Sequence, residues 1–154
     1  MSIIGVIPSR WGSTRFPGKS LAHLCGKPLV KWVVEACLRA KTLDEVVVAT
    51  DEPRIAEAVA GCGARVAMTR PDHPSGTDRV AEAANAKDGD IVVNIQGDEP
   101  LIDPALIDSV AAKLKHDDRW QMSTACAPIT SLADLLAPTI VKVVLDSQDG
   151  ALYF

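Results

Sequence analysis

The stretch Ser2-Ile3-Ile4-Gly5-Val6-Ile7-Pro8-Ser9-Arg10-Trp11-Gly12-Ser13-Thr14-Arg15-Phe16-Pro17-Gly18-Lys19 decides the architecture. Ser2–Ile7 is apolar and rich in isoleucine and valine, the pattern of a buried strand. At Pro8 the chain turns abruptly polar. Gly12 and Gly18 let backbone N–H groups approach an anion closely. Ser13 and Thr14 add hydroxyl donors, and Arg10, Arg15 and Lys19 add positive charge. A loop of this chemistry after a first strand suits a triphosphate; the plainer alternative is a solvated basic turn.

The Walker loop, G-x-x-x-x-G-K-[ST], is the nearest common motif. Gly18-Lys19-Ser20 fits its end, but five residues, not four, separate Gly12 from Gly18. A Walker loop must also run straight into a helix so that the helix N-terminus meets the phosphate. Here helical periodicity starts only at Pro28, with Leu29, Trp32, Val33, Ala36, Cys37 and Ala40 on one face. A generic P-loop NTPase is therefore rejected.

Working outward, apolar runs alternate with amphipathic ones. Strands are expected at Glu45–Thr50, Ala64–Thr69 and Asp90–Ile95, the last apolar on both faces and so expected to be central. Helices are expected at Pro53–Ala60, closed by Gly61; from a Thr77 cap to about Lys87, burying Val80, Ala81 and Ala84; and from Asp103-Pro104, with Leu106, Ile107, Val110, Ala111 and Leu114 inward. Beyond these, Gln121–Ala127 reads as a strand and Ser131–Leu136 as a short helix. Val141–Leu145 and Ala151–Phe154 read as a hairpin about the turn Asp146–Gly150. The alternation predicts an α/β three-layer αβα fold with a mostly parallel sheet. Ligands in such sheets bind beyond the carboxyl ends of the strands. The loops after Ile7, Thr50, Thr69 and Ile95 are thus the ones to inspect.

The bulk properties agree. A chain of 154 residues suits one domain with a real core, and 47% hydrophobic with 23% charged residues is ordinary for a globular protein. The net charge of -4 argues against a general nucleic-acid binder, while local cations can still hold a phosphate. Cys25, Cys37, Cys62 and Cys126 form no C-x-x-C pair and have no histidine at metal-ligand spacing. Free thiols, no signal-like N-terminus and no apolar run of membrane-spanning length lead to the expectation of a cytoplasmic protein without a membrane partner.

Three further segments carry chemistry. Thr50 and Asp51 end the second strand; unaided, they read as a helix cap. Met68-Thr69-Arg70-Pro71-Asp72-His73-Pro74-Ser75-Gly76-Thr77-Asp78-Arg79 is a polar loop feeding a helix N-terminus, where Ser75, Gly76 and Thr77 can present donors to a base or ribose. Its lone His73 reads as structural rather than as a general base. Val92-Val93-Asn94-Ile95-Gln96-Gly97-Asp98-Glu99-Pro100 places two acids and a glycine at the end of a buried strand. One carboxylate there suits Mg²⁺, which takes few protein oxygens plus substrate phosphates.

These segments resemble, in order, sugar nucleotidyltransferases of the CMP-Kdo synthetase type, Kdo being 3-deoxy-manno-octulosonate. Arg10, Ser13, Arg15, Pro17 and Lys19 match the R-x-x-S-x-R-x-P-x-K pattern of that family's first loop. Thr69–Arg79 is similar to its T-R-x-D-H-x-S-G-T-[DE]-R segment, and Asn94–Pro100 to its N-x-Q-G-D-E-P motif. Val141–Asp146 and Ala151–Phe154 resemble its closing hairpin. The resemblance implies a Rossmann-like nucleotidyltransferase fold and one nucleotide-binding catalytic domain over residues 1–154.

It also implies that the anomeric hydroxyl of Kdo attacks the α-phosphorus of CTP and displaces pyrophosphate. Arg10, Lys19 and Asp98 become the catalytic residues, with Asp98 the Mg²⁺ ligand. Pro8, Arg10, Ser13, Thr14, Lys19, Thr50, Asp51, Arg70, Ser75, Gly76 and Gln96 become the nucleotide-binding set. Relatives continue past Phe154 with a Ser-Arg segment, a dimerisation region and a later metal-binding Asp, so a truncated chain of a homodimeric family is expected, one that binds CTP weakly and turns over poorly on its own. Another acidic sugar, such as 8-amino-Kdo or a nonulosonic acid, and a non-catalytic nucleotide-binding module are the alternatives.

Overall fold

In the computed structural model, which describes residues 1–12, 16–85, 90–117 and 119–154, the first apolar run forms strand β1 (Ile3–Pro8), buried from Ile3 to Ile7. Beyond β1 come a 3-10 turn (Lys19–Leu21) and a short antiparallel pair, β2 (His23–Leu24) and β3 (Lys27–Pro28). Helix α1 (Leu29–Cys37), strand β4 (Glu45–Thr50), helix α2 (Pro53–Val59), strand β5 (Arg65–Met68), helix α3 (Gly76–Asn85), strand β6 (Ile91–Asn94) and helix α4 (Pro104–His116) follow. Two compact units divide the chain, Met1–Ser123 and Thr124–Phe154.

The first unit is a three-layer α/β structure. Its sheet runs β5-β4-β1-β6, with every pairing parallel. Alternate strand residues point to opposite faces, and each face has its own core. Ile3, Ile7, Val46, Val48, Ile91 and Val93 pack with α1, α2 and α4 residues such as Val33, Ile55 and Ile107. Ile4, Val6, Val47 and Ala49 pack on the other face against Val80 and Ala83 of α3. Each fully buried valine or isoleucine among them contributes roughly 1.5–3 kcal/mol. The chain steps outward from β1 through β4 to β5, then returns to set β6 on the other side of β1.

Several expectations need correction. Strand β6 is not central; among the described strands it is an edge, and its burial alternates, with Val92 39% exposed. Its valines look central because hydrophobicity reports burial and not the number of neighbouring strands. Helix α1 turns Val30, Val33, Val34, Ala36 and Cys37 inward and leaves Leu29 and Trp32 half-buried. Trp32 sits at the rim because its indole N–H donates to the Leu24 carbonyl at 2.8 Å and Lys27 lies over its ring at 3.5 Å. Burial pushes the inward thiol of Cys37 up to about 12, so it is inert.

In α3 the cap is Ser75 rather than Thr77. The Ser75 hydroxyl accepts from the Asp78 N–H at 3.2 Å, and the Asp78 carboxylate accepts from the Ser75 N–H at 3.1 Å. The helix is therefore rotated: Arg79, Val80 and Ala83 are buried, Ala84 is half-buried and Ala81 is exposed. Its expected end near Lys87 lies outside the described residues. In α4, Ile107 and Ala111 are buried, whereas Leu106 is exposed.

Helix α4 is tied to the segment after α1 by Asp108. Its Oδ1 accepts from the Lys41 N–H, the Thr42 N–H and the Thr42 hydroxyl, at 2.8, 2.8 and 2.7 Å. Partial burial pushes its pKa up, but the Thr42 and Lys41 donors outweigh that and hold it below its ordinary value. A depressed folded pKa means stabilisation present above the unfolded carboxylate pKa and lost as pH falls through the folded value. Asp108→Ala is expected to cost roughly 1–2 kcal/mol in urea unfolding at neutral pH. Asp108→Asn should flatten the acid limb of the stability profile; an unchanged limb would count against this anchor.

The second unit contains helix α5 (Leu132–Leu136), capped by the Ser131 hydroxyl, which accepts from the Asp134 N–H at 3.0 Å. It also contains the antiparallel pair β7 (Val144–Leu145) and β8 (Ala151–Tyr153). The Asp146 carboxylate shapes their turn by accepting from the N–H groups of Gln148 and Gly150, both at 2.8 Å. The expected hairpin is present with shorter strands. No strand forms over 121–127: no ladder partner is hydrogen-bonded to that segment, and Met122 is exposed.

Candidate active site

The carboxyl ends of β1 and β6 lie side by side where the strand order reverses, the place at which open α/β sheets hold ligands. After β1, the Ser9 N–H donates to the Ala49 carbonyl at 2.8 Å. The buried Ser9 hydroxyl meets the Ser20 hydroxyl at 2.7 Å, which ties the two ends of the basic loop together. Gly18 closes the loop. It sits at φ 69, and its N–H donates to the Trp11 carbonyl at 3.0 Å. A Cβ at Gly18 would come within 2.6 Å of the Trp11 ring, so only glycine fits there. Ser13, Thr14 and Arg15 lie outside the described residues.

Lys19 leads the 3-10 turn, and its Nζ lies 2.5 Å from Oδ2 of Asp98. Cation and carboxylate thus meet across the β1–β6 junction although 79 positions apart. Both remain partly open to solvent, so the pair itself contributes at most about 1 kcal/mol. An incoming phosphate could therefore take over the ammonium at small cost. Arg10 is exposed and makes no ion pair among the described residues. Helix α1 begins only at Leu29, beyond the β2–β3 pair, so the loop runs into a single 3-10 turn and not into an α-helix. That supports rejection of the Walker geometry.

Gly97 lets the β6 loop approach. A Cβ there would stand 2.9 Å from the Pro8 carbonyl oxygen and 3.7 Å from the Ser9 hydroxyl. Since the nearest obstacle is backbone, Gly97→Ala must push the two loops apart. A loss of about 1–3 kcal/mol in thermal unfolding is expected, and an unchanged melting temperature would refute this packing.

The N-terminus of α3 reaches the same region: a Cβ on Gly76 would lie 3.6 Å from the Pro8 ring. Gln96 is exposed, and its amide donates to the Asn94 side chain at 3.2 Å. Other expected site residues carry structural bonds. Thr50 is fully buried and its hydroxyl accepts from the Glu52 N–H at 3.1 Å. Asp51 faces Arg79, with Oδ1 3.0 Å from the guanidinium. The Ser75 hydroxyl is used by the α3 cap. Arg70 is exposed beside Asp72 and Glu82, 3.9 Å from each. His73 is buried against Glu82, and that contact, with the Arg70 N–H, holds the Glu82 carboxyl below its usual range. His73 therefore has a structural partner in Glu82.

A magnesium ion fits Asp98 only if phosphate oxygens complete its shell. Among the described residues no group of three or more His, Cys, Asp or Glu side chains converges. One accessible carboxylate beside a lysine is nonetheless a donor set that Mg²⁺ accepts when it arrives with a nucleotide. Among the described residues, no helix is long and apolar enough to cross a membrane.

Sequence reasoning missed Arg79 and the Ser9–Ser20 pair. Arg79 closes the Thr69–Arg79 segment and lies on the same helical stripe as Val80 and Ala83, but nothing local marked it as a buried ion-pair partner. Nothing in the pattern around Ser20 marked its bond to Ser9.

The sequence and the fold are shared with known proteins. A family model described as cytidylyltransferase matches residues 4–154. A curated 3-deoxy-manno-octulosonate cytidylyltransferase of Geobacter sulfurreducens is 53% identical over all 154 residues of this chain and 62% of its own length. One from Syntrophobacter fumaroxidans is 50% identical, aligned over 63% of its length. The chain therefore spans about three-fifths of the curated relatives it matches. Among solved structures, a CMP:2-keto-3-deoxy-manno-octonic acid synthetase complexed with CTP superposes with a TM-score of 0.89 at 38% identity, covering 99% of this chain and 63% of that one. A cytidylyltransferase from Leptospira borgpetersenii gives 0.69 at 28% identity, covering 77% and 51%. With the family model spanning nearly its whole length, the chain belongs to the cytidylyltransferase family.

Proposed function

We propose that the protein transfers CMP from CTP to Kdo, giving CMP-Kdo for lipopolysaccharide synthesis and releasing pyrophosphate. The observation that carries this reading is the meeting of Lys19 with Asp98 at the reversal of strand order. Two further findings support it: curated relatives named for that activity, and a structural neighbour complexed with CTP. CTP and Kdo are the partners of this reading. All four cysteines are free, in keeping with a reducing cytoplasm.

In the reaction, the anomeric hydroxyl of Kdo gives up its proton to solvent as its oxygen bonds to the α-phosphorus, and the bond from that phosphorus to the bridging oxygen breaks, releasing pyrophosphate. Negative charge grows on the departing pyrophosphate. Lys19 and Arg10 would bind the phosphates and offset that charge. Asp98 would hold a magnesium ion, which supplies further neutralisation of the phosphate oxygens. Pro8, Gly76 and Gln96 would border the nucleotide. Thr50, Asp51, Arg70 and Ser75 would shape the ends of the strands and of α3 that face it. No covalent nucleophile is required.

Incubation with radiolabelled CTP, Mg²⁺ and an equimolar mixture of Kdo, 8-amino-Kdo and a nonulosonic acid tests the reading. CMP-Kdo is expected as the main product. A different CMP-sugar, or a preference for UTP, would overturn it.

A further inference from the structure

Arg54, on α2, is not part of the loop after β1, yet it touches that loop. Its guanidinium lies 3.8 Å from the centroid of the Trp11 ring. The arginine is itself held in place: its Nε and NH2 donate to the two carboxylate oxygens of Glu52, at 2.8 and 3.0 Å. Glu52 in turn caps α2 by accepting from the Arg54 N–H at 3.2 Å. The fork is thus fixed on a helix terminus before it meets the tryptophan.

Trp11 passes that constraint on. Its ring occupies the space where a Cβ of Gly18 would stand, and its carbonyl accepts the Gly18 N–H at 3.0 Å. Gly18 caps the 3-10 turn that begins with Lys19, and Lys19 reaches Asp98. A continuous series of contacts therefore runs from α2 through Trp11 and Gly18 to the ammonium that faces the β1–β6 junction.

We propose that Arg54 is a positioning residue: stacked on Trp11, it clamps the closing end of the basic loop and so sets where Lys19 presents its charge to a triphosphate. The proposal rests on the reading of Lys19 as a CTP-phosphate ligand. Arg54 acts through Lys19 and does not itself hold the nucleotide.

The test is a coupling measurement on the full 154-residue chain, with CTP as the probe in calorimetry. Arg54→Met keeps the aliphatic stem and removes the stacked cation. It should weaken CTP binding by about three- to fivefold, the worth of an exposed cation–π contact. Arg54→Lys, which keeps a cation for the ring, should recover most of that loss. In a Lys19→Ala background, Arg54→Met should change CTP affinity by less than about twofold, because the group it positions is gone. An equal loss in both backgrounds would mean that Arg54 binds phosphate directly or acts only on general stability, and the proposal would fall. If Lys19→Ala alone leaves CTP affinity unchanged, the phosphate reading fails first and takes this inference with it. Exchange of the Gly18 amide is an independent measure. It should quicken in Arg54→Met without CTP, and unchanged exchange would also overturn the clamp.

Discussion

Lys19→Ala is expected to weaken CTP binding by about ten- to a hundredfold, the range for loss of a charge-assisted hydrogen bond of roughly 1.5–3 kcal/mol. The carboxylate 2.5 Å away should behave in the opposite sense when metal is absent. Asp98 competes with phosphate for the ammonium and repels the triphosphate. Asp98→Asn should therefore bind CTP about two- to fivefold more tightly in EDTA, the worth of one partly exposed ion pair. With Mg²⁺ the order should invert, because the unmodified chain gains affinity from the ion and the variant does not. Calorimetric titration of the unmodified chain and the Asp98→Asn variant, with and without Mg²⁺, reads all four affinities. An Asp98→Asn chain that still gains affinity from Mg²⁺ would remove Asp98 from the metal site.

The second large effect concerns stability. Arg79 is 2% exposed, yet it is charged. It donates to the Thr69 hydroxyl and lies 3.0 Å from Asp51, itself only 18% exposed. The side chain thus links the ends of β4 and β5 from within α3. Removing one partner of a buried pair strands the other, at a cost of about 3–5 kcal/mol. Arg79→Met should lose about that much in urea unfolding, a large share of the roughly 5–15 kcal/mol that holds a domain together. Adding Asp51→Asn should restore part of it, since the stranded carboxylate is then gone. A loss below about 1 kcal/mol for Arg79→Met, or no recovery in the double variant, would show that the pair is not coupled.

Three strands of the sheet, β1, β4 and β6, were legible because each is a short run rich in β-branched residues between turn signals. Glu45–Thr50 was read to the residue. Order across the sheet was not legible in the same way. Ile91–Asn94 is apolar enough for an interior strand, but its number of neighbours depends on pairings that no local pattern encodes. The helix faces slipped for a related reason. Trp32 is apolar in count, yet it carries an N–H that seeks the Leu24 carbonyl at the rim. In the site, Lys19 and Asp98 were visible as separate motifs. Their contact is a product of topology, which sets β6 beside β1. Arg54 and Trp11 gave no signal at all, since each is an ordinary residue until the α2 terminus brings one over the other.

The 3-10 turn and the β2–β3 pair that separate Lys19 from α1 have a consequence for ionic strength. A loop that opens directly into a helix holds phosphate with backbone amides, whose dipoles salt affects little at contact distance. If Lys19 and Arg10 hold the triphosphate as proposed, that hold rests largely on an ammonium and a guanidinium that stand partly in solvent, where charges are screened over about 8 Å at physiological salt. Triphosphate affinity should therefore decline steeply as salt is added, and the same dependence would let pyrophosphate depart readily once formed.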